Sequence, residues 1–169
     1  MEDDDLPDEG EYLSRWLDEM DLELGKIGCR GALPVPDDFP HDFSPESLPA
    51  LETAALEYAA REGYHIDLYI HALGAYLGEA ILYTAGGHWG WFGYSGYGDG
   101  DPTVIVDPVH KAGPVHVCDI VRRALDERTG EVFAEEHGWM QIAADAALEN
   151  DPTWRPVKEE DGIQRPKAG

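Results

Sequence analysis

Residues 65–85 read HIDLYIHALGAYLGEAILYTA and run directly into GGHWGWFGYSGY at 86–97. The first stretch is apolar on nearly every helical face, which marks a buried central helix rather than a surface one. Asp67, His71 and Glu79 interrupt it, so it does not read as a membrane span. At about 100° per residue, Asp67, His71, Gly74 and Gly78 fall on one narrow stripe. Glycine costs roughly 1 kcal/mol against alanine inside a helix, so the two glycines imply the close approach of another element. Gly86-Gly87 ends the helix. Beyond it, Trp89 and Trp91 point one way and His88, Phe92 and Tyr94 the other, the alternation of an irregular, glycine-loosened strand. Gly98 to Pro102 is turn material, and Thr103-Val104-Ile105-Val106 is a second strand that stops at Asp107-Pro108. The two strands are expected to pair as a hairpin.

Helices surround this unit. Tyr12, Leu13, Trp16, Leu17, Met20 and Leu24 form an amphipathic stripe closed by Gly25 and Gly28. Residues 29–49 are proline-rich loop, and Ser44 before Pro45 reads as the cap of a second helix that runs to Gly63. Gly113-Pro114 opens a helix carrying Val117, Ile120, Val121, Ala124 and Leu125 inward. Residues 131–148 continue helical with Val132, Phe133, Trp139, Met140, Ala143 and Ala147 inside and a kink or break at Gly138. The fold class is α+β: five to six helices packed on a small antiparallel sheet, a single domain with a buried central helix. Two strands alone are marginal, so a third is expected at 26–34 or 115–118. Residues 1–9 read as a disordered acidic head, 10–150 as the domain, and 151–169 as a poorly ordered tail whose first part Trp154 pins.

The chain of 169 residues holds 35 acids against 12 bases, a net charge of −23. That balance excludes a nucleic-acid footprint and disfavours anionic membrane surfaces. Residues 1–11, MEDDDLPDEGE, are the opposite of a cationic signal-peptide start, and a cytoplasmic protein is the simplest reading. Cys29 and Cys118 form no CxxC pair and read as reduced thiols.

Chemistry-bearing patterns are sparse. An acid and a histidine four apart, Asp67 and His71, share a helix face with Glu79 to one side, which suits an oriented imidazole base. No nucleophile accompanies them, and Ser95 in GYSGYG lacks the helix that a nucleophile elbow needs. The plainer reading makes Asp67 an exposed acid, and His71 and Glu79 satisfied, partly buried groups. The seven histidines form neither HxH nor HExxH, so no metal site and no cofactor are expected. The aromatics between Gly86 and Gly100 suit either a platform that stacks a sugar or a base, with Asp99 and Asp101 holding hydroxyls, or inward packing on the central helix.

The pair AYLGEAI (75–81) and GGHWGW (86–91) resembles a pattern in small bacterial domains of unknown function, in which a YLGE helix leads into a GG-x-W strand. The resemblance spans roughly residues 50–125 and implies a bacterial α+β domain with no activity attached. Its matching positions are Tyr76, Leu77, Gly78, Glu79, Gly86, Gly87 and Trp89. They read as a helix–strand junction in which Glu79 bonds the backbone or the Trp89 N–H.

The leading expectation is a non-catalytic acidic interaction protein, an immunity-protein or antitoxin-like inhibitor of a basic protein partner such as a toxin. Its contacts would be Asp3, Asp4, Asp5, Glu135 and Glu136. One alternative is a small-ligand binder or hydrolase-type enzyme with a pocket built from His71, Glu79 and the Trp89–Tyr94 strand, Trp91 included. Another is an accessory or scaffold subunit that docks through its N-terminal helix.

Overall fold

The computed structural model describes residues 9–28, 33–93 and 100–159. Asp3, Asp4, Asp5, Cys29 and Tyr94 lie outside the described residues, as do the rest of the expected acidic head and the end of the expected tail. Among the described residues five α-helices pack on a small three-stranded sheet, α+β as the sequence implies: α1 (Glu9–Leu24), α2 (Ser47–Glu62), α3 (Ile70–Ala85), α4 (Val117–Glu127) and α5 (Val132–Asn150). No described helix is long and apolar enough to cross a membrane.

α3 is the buried centre. Residues Ala72 to Leu82 are all buried, and α1, α4, α5 and the sheet pack around them. The helix starts later than the sequence suggests. Gly63–Tyr69 is a tighter 3-10 turn, so Asp67 does not sit one α-helical turn below His71, and it is exposed. The α1 stripe is spent on the core: Leu13, Trp16 and Met20 are buried there. A partner helix groove would have to compete with that packing.

The hairpin forms as expected, with β1 (Gly87–Phe92) antiparallel to β2 (Asp101–Val106) and Trp89 opposite Val104. Gly87, at φ 128°, brings its backbone so close to Ile105 that a Cβ would lie 2.0 Å from that carbonyl oxygen. The third strand corrects the sequence reading. It is β3 (Lys158–Glu159), drawn from the segment expected to be tail, and it runs parallel to β1. The sheet is therefore mixed, in the order β2-β1-β3, not antiparallel throughout. Of the two expected third strands, Val115 makes only an isolated bridge to Val104, and Ile27 bridges Leu33 away from the sheet. The segment leading to β3 is fastened by Trp154, whose indole N–H donates to Asp107 Oδ2 at 3.1 Å, and by Gly87 N–H donating to the Val157 carbonyl at 2.9 Å.

Ser44 does not cap α2. Its carbonyl accepts from the Ser47 N–H and hydroxyl, and the helix begins after Pro45 rather than carrying it in the first turn. α5 is unbroken at Gly138, and it turns Trp139 outward, 60% exposed, where the sequence reading placed it inside. His137 takes the inward position instead and shares a 2.8 Å hydrogen bond with the Thr84 hydroxyl. The N-terminus of α5 is capped from another helix: the buried Glu52 carboxylate of α2 accepts from Val132 N–H at 3.1 Å and Phe133 N–H at 2.7 Å. A carboxylate on the two leading amides meets the positive end of the helix dipole, which stabilises its burial.

Candidate functional site

A cleft opens between α1, the start of α3 and α4. One cavity of about 490 Å³ is lined by Glu23, Asp67, Leu68, Ile70, His71 and Arg122. A second of about 260 Å³ shares His71 and Arg122 with it and adds residues of α1, Trp91 and Asp101. The 3-10 turn places Asp67 and Leu68 at the rim, and the first turn of α3 places His71 with its side chain 41% exposed.

Asp101, the first residue of β2, lies at the base with its side chain only 8% exposed. Arg122 grips it with two hydrogen bonds, Nη1 to Oδ2 at 2.7 Å and Nη2 to Oδ1 at 3.2 Å. Nη1 also donates to Asp119 at 2.9 Å, one turn back on α4. His71 Nε2 stands 3.4 Å from Asp101 Oδ1. Burial alone would raise the Asp101 pKa. The hydrogen bonds from His71 and Arg122, with the guanidinium charge, outweigh it and hold the carboxyl at about 2. For Arg122, burial works against the cation, and the bond and charge of Asp101 reverse that, so its pKa is raised. Cys118, fully buried on α4 one turn before Arg122, is raised by desolvation first and by the Asp101 charge second. Its thiol therefore stays protonated at neutral pH.

The aromatic wall is ordered as well. Tyr12 stacks on Trp91 with ring centroids 5.3 Å apart and planes at 11°. Trp16 sits edge-on to both His71 and Trp89. These contacts fix the imidazole of His71 in place against α1.

The expected pocket is thus divided. His71 and Trp91 reach the cleft, whereas Glu79 and Trp89 are sealed together inside. Trp89 Nε1 donates to Glu79 Oε2 at 3.1 Å, and Lys158 of β3 donates to Oε1 at 2.6 Å. The YLGE glutamate is accordingly architectural: it ties helix, strand and C-terminal segment through one carboxylate. The carboxylate partner of His71 is Asp101, not Asp67 or Glu79. The sequence offers Asp101 only as an acid beside the aromatic platform and Arg122 as an outward helix residue; their pairing with His71, 30 and 51 positions away, is not legible there. One available signal was the i, i+4 spacing of Cys118 and Arg122, which puts a thiol and a guanidinium on one face of α4.

The expected acidic contacts separate too. Glu135 is exposed, but Glu136 is held by Arg123 Nη2 at 2.7 Å. Around Glu135, the outer face of α5 carries Trp139 and Ile142, about 60% exposed each, with Asp145 and Glu149 also exposed. Offsets of four, three and seven place Glu135, Trp139, Ile142 and Glu149 on one stripe. The 19 residues of α5 include no lysine or arginine. The chain matches no protein-family model, no curated protein and no solved structure.

Proposed function

We propose that this chain is a non-catalytic cytoplasmic interaction protein that binds and masks a basic protein, in the manner of an immunity protein or antitoxin-like inhibitor. One observation carries the reading: a helix face without a cation presents an exposed tryptophan and isoleucine among carboxylates. Apolar anchors ringed by like charge are poorly suited to self-association at a net charge of −23, but they fit a cationic surface with an apolar pocket. Tryptophan is among the side chains enriched at the energetic centre of such contacts. The exposed acids of α1, Asp18, Glu19 and Asp21, add to the chain's overall negative charge. The apolar stripe of α1 is occupied by the core, which weighs against the accessory-subunit alternative. The ligand-pocket alternative retains His71 and Trp91 and loses Glu79.

The test is affinity capture from the native lysate with the wild type, Trp139→Ala and the charge reversal Glu135→Lys/Glu149→Lys. The expected result is a basic protein retained at low salt, released as salt rises, and lost with either variant while circular dichroism stays native. Capture of nothing at either salt, or capture indifferent to the α5 changes, sinks the reading.

A further inference from the structure

We propose that His71, Asp101 and Cys118 form a binding site for one divalent transition-metal ion of the zinc class, with its fourth position open to the cleft. The three come from α3, β2 and α4, and one ligand atom of each (imidazole nitrogen, carboxylate oxygen, thiol sulfur) lies within 4.8 Å of the other two. The 3.4 Å between His71 Nε2 and Asp101 Oδ1 matches the roughly 3.3 Å that separates two ligands bound at about 2.0 Å across a tetrahedral ion. A mixed nitrogen, oxygen and sulfur set suits zinc and its neighbours and is too soft for magnesium or calcium.

Arg122 bears directly on this. Its guanidinium already meets Asp101, so a second cation is held there only if the surrounding negative charge offsets it. The cluster holds one guanidinium against two carboxylates, Asp101 and Asp119. A divalent ion that displaces the thiol proton to solvent adds two positive charges and one thiolate. The group then balances at three against three. The short 2.7 Å bond from Arg122 to Oδ2 is kept and orients the carboxylate, while the ion takes over Oδ1, where the guanidinium is farther away at 3.2 Å. His71 and Asp101 both line the cavity, so an ion has an entry path and a water has room at the fourth position. Glu19, Glu23 and Asp67 on the same walls raise the local cation concentration. This inference is independent of the α5 surface: either stands if the other fails.

Cobalt(II) is the probe, since a cobalt–thiolate bond absorbs strongly in the near ultraviolet. The wild type is expected to develop that band at one equivalent, release one proton and lose the band when zinc is added. Cys29→Ser should keep the band and Cys118→Ser should lose it. His71→Gln, at a position whose side chain is 41% exposed, should weaken cobalt binding at least about tenfold, the scale set by disturbing a ligand shell, with circular dichroism unchanged. It decides the matter if Cys118→Ser fails to fold. No band in the wild type, a band that survives Cys118→Ser in folded protein, or unchanged affinity in His71→Gln overturns the proposal.

Discussion

The indole of Trp89 lies directly on Gly78: a Cβ at that glycine would sit 2.1 Å from Cη2 and 2.5 Å from Cζ2 of the ring. Trp89 is fully buried and its N–H is committed to Glu79, so the ring has nowhere to move. Gly78→Ala is expected to lose about 2 kcal/mol net, an overpacking cost of about 3 kcal/mol outweighing the roughly 1 kcal/mol gained in helix propensity. Gly138→Ala is the control. Nothing lies within 4 Å of its added methyl, and urea denaturation should show a gain of about 0.5–1 kcal/mol.

Glu79→Ala leaves the Trp89 N–H and the Lys158 ammonium without their shared carboxylate. The expected loss is about 3 kcal/mol, the lower end for breaking a buried pair, because Lys158 is partly exposed. Ending the chain at Asn150 should cost stability as well, since β3 and Trp154 go with it. Both effects are read as shifts of the denaturation midpoint, and unchanged midpoints would restore the tail reading of this segment.

Asp101 sets a pH dependence. Its carboxyl is depressed from the ordinary 3.8 to about 2 in the folded state, so the stabilisation is fully present above pH 3.8 and disappears as pH falls through 2. The shift corresponds to about 2 kcal/mol. Asp101→Asn lacks this contribution. The stability difference between wild type and variant should therefore narrow by that amount across this window, measured by urea titration at successive pH values.

Trp139→Ala should change folding stability by no more than about 0.5 kcal/mol, as a surface substitution does. Iodide should quench the fluorescence of Trp139 far more than that of Trp89, which can be read by comparing the variant with the wild type. A large loss of stability would mean that the side chain is packed rather than presented.

Much of the architecture is legible in residues 65–106. An all-round apolar helix ended by Gly86-Gly87, then alternating aromatics, leaves few ways to fold other than a central helix backed by a hairpin. Glu79 is legible in its structural role because a glutamate beside a tryptophan-bearing strand needs a donor. Other features depend on distant partners. β3 is two polar residues that no propensity favours as strand, and it is held in place by Lys158 reaching Glu79, 79 positions earlier. Trp139 reads as core on hydrophobicity alone, but Phe133, His137, Ala144 and Ala147 take the inward face of α5, His137 docking against Thr84, and leave it outside. Glu52 reads as a surface acid until α5 presents its amides to it. The cleft was half visible: His71 stood out, whereas Asp101 beside Pro102 looked like a turn and Arg122 like an outward helix face.

The link between Glu79 and Lys158 also orders events during synthesis. The central helix leaves the ribosome with a carboxylate destined for the interior, and its counter-cation is translated 79 residues later. Until then, closing the hydrophobic centre would strand an uncompensated charge, so the nascent chain should stay loosely collapsed and sensitive to proteases over that interval. Consolidation would come late and all at once, when the last strand slides in beside Gly87.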